Sequence, residues 1–332
     1  MKALVYEKAH DLDNFAMRLV EVAEPTLRDL DVLVEIHAIG INPGEAFIRR
    51  TRSAEPGGRV LLGWEFAGVV LRAGSAVRNF KVGNRVFGTG DMSRDGAWAE
   101  RLAVDHRILA KIPDKLSFTD AASLPIGAVT AWEAMFRDQD VLPAGVDRVL
   151  IVGGAGAVGS LATQILKAKT NAYVVGTASR SESSDWCREM GADLLIDHTK
   201  DIEKQLASAG IHHVDMVLST AKTSEHLGWI TKVLRPFGHL SVVDFSPSLD
   251  ANALMLKSLS LHLEMVFSRI LHGTDVHRQG SILEEVAALV VSGRIRPITT
   301  TQLNGLSVDA MRAAHQLVET NRTIGKAVIA II

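Results

Sequence analysis

The sequence predicts an α/β protein: a doubly wound parallel sheet joined to an irregular β-barrel. From residue 148 onward, short apolar runs alternate with helical ones, the pattern of a parallel sheet covered by helices on both faces. A G-x-G-x-x-G turn stands between the first of those runs and the helix after it, where such a turn has a mechanism. Before residue 115 the chain reads instead as short β-rich runs separated by Pro and Gly, as in a barrel with long loops. The chain has 332 residues, about twice a usual domain of ~150, so both parts have room.

Composition narrows the function classes. Hydrophobic residues are 47% and charged residues 22%, which excludes intrinsic disorder. Lys plus Arg number 36 against 38 for Asp plus Glu, a net of −2, so bulk charge gives no reason to expect a nucleic-acid partner. The one cysteine, Cys187, excludes an intramolecular disulfide and any cysteine-based metal cluster, and suits a reducing, cytoplasmic location. Glu7 and Lys8 arrive too early for the apolar core of a signal peptide. Residues 149–166 carry no charge, but Gly153, Gly154, Gly156, Gly159, Ser160, Thr163 and Gln164 interrupt the run. That segment reads as a buried strand turning into a helix rather than a membrane span.

In order, strands are expected at 32–38, 68–71 and 85–88, the last after the turn Val82-Gly83-Asn84. Pro43, Pro56, Gly57, Gly58, Gly63, Gly74, Gly83 and Gly90 mark the loops between them. Residues 119–136 read as helix broken at Pro125. Strands at 148–152, 172–177, 194–196, 214–219, 239–244 and 259–266 then alternate with helices at 157–169, 182–190, 202–208 and 224–234. Gly191 closes the second of these helices, and Pro236 with Gly238 ends the fourth. Helices at 282–292 and 308–319 and a strand at 327–331 complete the chain and return to the first domain. The expected division is 1–124 with 268–332 as one domain and 125–267 as the other.

Gly154-Ala155-Gly156-Ala157-Val158-Gly159 is the dinucleotide-binding turn in that scheme. The first glycine permits the tight turn, the second lets backbone approach a pyrophosphate, and the third lets helix pack on strand. The helix start supplies N–H groups and positive dipole to the anion; without a ligand the same residues would be a glycine-rich turn. NAD sites place an acid about 20 residues on. Here the next strand leads into Ala178-Ser179-Arg180-Ser181, where Ser179 and Arg180 suit the extra phosphate of NADPH. Glu182, close by, argues the other way.

With these residues in place, the sequence resembles the medium-chain dehydrogenase/reductase superfamily, in its zinc-free quinone oxidoreductase-like branch. The resemblance spans nearly the whole chain. It rests on the order of Met1-Lys2-Ala3, Ile41-Asn42-Pro43-Gly44-Glu45, Gly63-Trp64-Glu65-Phe66-Ala67-Gly68 and Gly96-Ala97-Trp98-Ala99-Glu100. Leu124-Pro125, Thr130-Ala131-Trp132-Glu133-Ala134, the glycine turn, Lys257-Ser258-Leu259-Ser260-Leu261 and Gly325-Lys326 follow. The resemblance implies a Rossmann domain, a GroES-like catalytic domain and a homodimer. The family's catalytic zinc is typically held by two cysteines and a histidine, and those positions match Asn42, Trp64 and Ile126. Residues 89–110 lack the cysteines of the structural zinc lobe, so no metal is expected.

Without a Lewis acid, alcohol oxidation is hard, because nothing lowers the hydroxyl pKa. Hydride addition to an electron-poor alkene or quinone asks mainly for orientation and hydrogen bonds to a carbonyl. The expected activity is NADPH-dependent reduction of quinones or α,β-unsaturated carbonyl compounds. An NADPH-binding sensor with little turnover is a second reading, and an alcohol dehydrogenase a disfavoured third.

Asn42, at a cleft position in the family, is a candidate carbonyl donor or simply a turn residue before Pro43. Thr130 matches a position on the nicotinamide side, or is a packing residue. Ser219, Thr220 and Phe245 follow strand ends at the carboxyl edge of the sheet, where such folds bind ligands. Arg49, Arg50, Arg52 and Arg59 read as a solvated basic loop, or as a patch favouring anionic substrates. Cys187 is expected to be a buried or indifferent thiol.

Overall fold

The computed structural model describes every residue except Asp138, Pro247 and Asn321. The chain divides into two compact units, Met1–Ile126 with Phe267–Ile332, and Gly127–Val266.

The second unit is a six-stranded, all-parallel sheet. Its strands lie in the order Leu194–Ile196, Tyr173–Thr177, Arg148–Val152, Val214–Ser219, Leu234–Val242 and Ser260–Leu263. The spatial order runs outward in both directions from Arg148–Val152, which makes the sheet doubly wound. Central strands such as Val214–Ser219 are buried along their whole length, as expected when helices cover both faces. Leu150, Val175, Val217, Leu240 and Ile230 form part of the core. The uncharged run at 149–166 is strand followed by helix, Arg148–Val152 and Ala157–Lys169. Among the described residues no helix is long and apolar enough to cross a membrane.

The first unit holds a bulged, mostly antiparallel sheet and a two-stranded ribbon, Lys2–Val5 with Arg18–Glu21. Its central strand, Asp31–Gly40, pairs along one side with Glu65–Ala73. Along the other side it pairs first with Arg101–Asp105 and then with Lys326–Ala330. Register shifts interrupt its pairing with Glu65–Ala73 at Leu33/Val34 and Ile36/Ala38, and such bulges bend and twist a sheet. Buried Trp98, Phe66, Tyr6, Ile36 and Trp64 fill this core.

Several elements differ from the sequence expectation. Helix Thr223–Val233 passes directly into strand Leu234–Val242. Val214 pairs with Leu234 and Met216 with His239, so Arg235 to Gly238 loop out opposite Asp215. Phe237 takes a positive φ there, and Arg235 Nε donates to Asp215 Oδ1 at 2.7 Å. The strand expected at 259–266 is only Ser260–Leu263. Strand Thr299–Asn304 and helix Pro43–Thr51 were not anticipated. The helix carries a readable start signal, Asn42 as N-cap, Pro43 in the first turn and Glu45 at the third position.

Candidate functional site

In the second unit, the turn after Arg148–Val152 is held from below. Gly153 N–H donates to Thr177 Oγ1 (3.0 Å) and Gly154 N–H to the Thr177 carbonyl (3.3 Å). Gly153 sits at φ +75°, and a Cβ on it would lie 2.5 Å from Thr220 Oγ1. A Cβ on Gly159 would lie 2.4 Å from the Gly153 carbonyl oxygen and 2.8 Å from Gly154 Cα, which is the close helix–strand approach expected of the third glycine. At Gly156 the nearest heavy atom to an added Cβ would be 3.5 Å away, an ordinary contact, so this position is not closed by packing as Gly153 and Gly159 are. Gly156 is the N-cap of helix Ala157–Lys169, whose first N–H groups, including those of Ala157 and Val158, have no intrahelical acceptor. These residues fit a dinucleotide pyrophosphate.

Around this cradle the structure gathers some of the expected residues and sets others apart. Thr220 donates from Oγ1 to the Val152 carbonyl (2.7 Å) and borders the turn. Ser179 is exposed and Arg180 half-buried at the start of helix Ser181–Glu189. The Ser183 hydroxyl caps that helix, accepting from Arg180 N–H (3.2 Å) and donating to its carbonyl (2.9 Å). Ser219 is fully buried, its hydroxyl hydrogen-bonded with Thr223 Oγ1 (2.7 Å). Thr223 in turn bonds the Asp244 carboxylate, so Ser219 offers a ligand no side-chain atom in this arrangement. Phe245 is 76% exposed. Thr130, on helix Pro125–Phe136, is buried. Burial pushes the Cys187 thiol up to about 11, so it is a protonated packing group beneath Gly154 rather than a nucleophile.

In the first unit, Asn42 is the hub of a buried charged cluster. Lys326–Ala330, Asp31–Gly40 and Glu65–Ala73 are adjacent strands, and their ends bring Lys326, Asn42 and Glu65 together. Lys326 Nζ donates to Asn42 Oδ1 (2.5 Å) and forms an ion pair with Glu65. Asn42 Nδ2 donates to Glu65 Oε2 (3.0 Å), and Ile126 N–H donates to Glu65 Oε1 (2.8 Å). Glu45 accepts from Trp64 N–H (2.9 Å) and Asn42 N–H (2.9 Å). Lys326, Glu65 and Glu45 are at most 2% exposed, whereas Asn42 is half-buried. Gly40 makes the room, since a Cβ there would lie 2.6 Å from Glu65 Oε2. Burial raises the Glu45 carboxyl to about 7, against the lowering effect of its two N–H donors and Lys326.

Asn42, Trp64 and Ile126, the three positions weighed as metal ligands in the sequence, do meet around this cluster. Neither Trp64 nor Ile126 brings a side-chain metal donor, however, and a lysine ammonium takes the centre. Among the described residues no group of three or more His, Cys, Asp or Glu is placed to hold a metal ion.

The basic run is corrected by the structure. Arg49 and Arg50 lie on helix Pro43–Thr51, not in a loop. Arg49 is fully buried, pairs with Glu319 (2.6 Å) and lies over the Phe15 ring, and Arg50 pairs with the same carboxylate (2.7 Å). Arg59 pairs with Asp95 (2.9 Å). Glu319 and Lys326 were missed as partners because they lie some 270 residues or more away along the chain, and no local pattern signals them.

The chain is similar to known proteins over its whole length. The family profile of alcohol dehydrogenase GroES-like domains matches residues 28–114, and that of zinc-binding dehydrogenases matches residues 190–329. A zinc-type alcohol dehydrogenase-like protein of Staphylococcus aureus is 35% identical over 336 residues, covering 99% of each chain. A 2-methylene-furan-3-one reductase of Solanum lycopersicum is 28% identical, covering 99% of this chain and 79% of its own. A crystal structure from Rhizobium etli CFN 42, bearing a provisional zinc-dependent alcohol dehydrogenase name, superposes with a TM-score of 0.96 at 35% identity. That likeness covers 100% of this chain and 98% of the other.

Proposed function

The chain belongs to the medium-chain dehydrogenase/reductase superfamily, and from that premise we propose that it is a zinc-independent, NADPH-dependent reductase of α,β-unsaturated carbonyl compounds or quinones. The observation that carries the reading is the Lys326 ammonium between Asn42 and Glu65. A zinc ion does not fit there: its ligand positions hold an amide, an indole and an alkyl chain, and the neighbouring carboxylates are committed to Lys326 and to backbone N–H groups. A site without a metal favours reactions in which negative charge spreads over an enolate or hydroquinone. The tomato relative, named as a reductase of a methylene-furanone, supports the enone class.

When bound, the nicotinamide cofactor supplies the hydride. In this reading residues 125–267 bind it, with Gly154, Gly156, Ala157, Val158 and Gly159 on the pyrophosphate and Thr220 and Phe245 bordering the site. Ser179 and Arg180 receive the 2′-phosphate. Residues 1–124 and 268–332 carry the substrate side, where Asn42 donates to the carbonyl oxygen; Thr130 helps seat the nicotinamide. The protein works as a homodimer, a reading supported by the outer strand Ser260–Leu263, which exposes Leu261 and Leu263.

The test follows NADPH and then NADH absorbance with chelator-treated protein and a panel of enones, quinones and simple aldehydes. Saturable, chelator-insensitive oxidation of NADPH with enones or quinones is expected. Arg180→Ala should raise the KM for NADPH about 10-fold to 100-fold, the loss of a charge-assisted phosphate contact, and leave that for NADH unchanged. NADPH binding without turnover on any acceptor would instead assign the chain a sensing role.

A further inference from the structure

Resting on that reductase reading, we propose that Lys326 is a positioning residue. Its ion pair with Glu65 holds the Asn42 amide in a single orientation, leaving one Nδ2 hydrogen to donate to the substrate carbonyl oxygen. An asparagine amide can in general sit in two flipped states. Here Oδ1 faces the Lys326 ammonium and Nδ2 faces the Glu65 carboxylate. Flipping would set the NH2 group against the ammonium and the carbonyl oxygen against the carboxylate. Both partners are buried, at 2% and 0% exposure, so water does little to screen that penalty. The backbone adds a third constraint, because Asn42 N–H is held by Glu45.

Asn42 itself is half-buried, and its NH2 group has two hydrogens, of which Glu65 takes one. The ammonium on Oδ1 also polarises the amide and strengthens the remaining N–H as a donor. A donor fixed in advance needs no reorganisation when negative charge develops on the carbonyl oxygen. Lys326 thus acts at one remove, through Asn42, on the atom that becomes negative.

Lys326→Met alone would leave the Glu65 charge buried and unpaired, so the test removes both charges together in Glu65→Gln/Lys326→Met. In the wild type, the side-chain amide of Asn42 should give a resolved, slowly exchanging pair of NMR resonances. In the double variant that pair should lose its protection. With NADPH and 2-cyclohexenone or benzoquinone, kcat should fall roughly 10-fold to 100-fold, the scale of a misplaced oxyanion donor, with the KM for NADPH unchanged. Adding Asn42→Ala to the double variant should cost almost nothing further. An Asn42→Ala penalty as large in that background as in the wild type, or amide resonances unaltered by the double substitution, would overturn the proposal. A wild-type protein inactive on every enone and quinone would sink the reductase reading, while the amide resonances separately decide whether Lys326 orients Asn42.

Discussion

Glu45 and His315 are both fully buried, and their titrations pull stability in opposite directions. Burial raises the Glu45 carboxyl from 4.5 to about 7. Below 4.5 it is protonated in both states; as pH rises from there toward 7, the unfolded chain releases its proton first and stability is lost. The loss over that window is about 3 kcal/mol. His315 is lowered from 6.5 to about 3, by burial first and then by the Arg49, His10 and Arg50 charges. Neither of its ring nitrogens has a hydrogen-bond partner among the described residues. Above 6.5 it is neutral in both states; as pH falls toward 3, the unfolded chain takes up a proton that the folded chain refuses, and stability is again lost. Between 4.5 and 6.5 the two slopes partly cancel. Urea midpoints across pH should therefore fall more steeply from pH 4.5 to 7 in His315→Leu than in the wild type. In Glu45→Gln they should rise across the same window; parallel profiles in all three proteins would contradict the assignment.

At the scale of an element, the strand–turn–helix from Arg148–Val152 to Ala157–Lys169 separates the roles of its glycines. A methyl group at Gly159 would meet three backbone atoms of the preceding turn, at 2.4, 2.8 and 2.9 Å. Backbone cannot yield as a flexible side chain can, so Gly159→Ala should lower stability by about 1–3 kcal/mol, the usual cost of overpacking, and weaken NADPH binding with it. Gly156 has room for a methyl group, and its substitution should leave Tm nearly unchanged. In the proposed binding mode the added methyl would nevertheless stand where the pyrophosphate approaches, so Gly156→Ala should raise the Kd for NADPH about tenfold or more. Calorimetry with a binding titration on both variants separates packing from recognition. Equal effects of the two substitutions on Kd and Tm would mean that the turn is structural throughout.

On the scale of the whole molecule, each unit builds its own sheet, and the outer strand Ser260–Leu263 of one of them exposes Leu261 and Leu263. Ser260–Leu263 hydrogen-bonds on one side to Leu234–Val242 and, among the described residues, to no strand on the other. Leu263 is 67% exposed and Met265, just beyond it, 46%. An edge of this kind is a template for another strand, and in the proposed homodimer a second copy related by a twofold axis would meet it with the same residues. Leu263→Glu should convert a dimer into a monomer in size-exclusion chromatography with light scattering while leaving the far-ultraviolet circular dichroism unchanged. A wild type that elutes as a monomer would remove the dimer reading.

What the sequence alone determined is what depends on neighbours along the chain. The βα alternation, the glycine turn and the ends of helices such as Ile202–Ser208 and Val308–Glu319 follow from periodicity, caps and breakers acting over a few residues, and they were legible. Where a strand and its helix are separated by a loop-out, as at Arg235 to Gly238, the same local signals misplaced the boundary, because pairing with Val214–Ser219 decides it. The start of helix Pro43–Thr51 was written in Asn42, Pro43 and Glu45 but masked by the surrounding glycines and prolines. The charged cluster was not legible at all. Asn42, Glu65 and Lys326 become neighbours only because three strands from distant parts of the chain lie side by side. A lysine buried there is tolerable only because that pairing also delivers a carboxylate and an amide to receive it, and it is that tertiary arrangement which makes Asn42 part of a charged cluster rather than a turn residue before a proline.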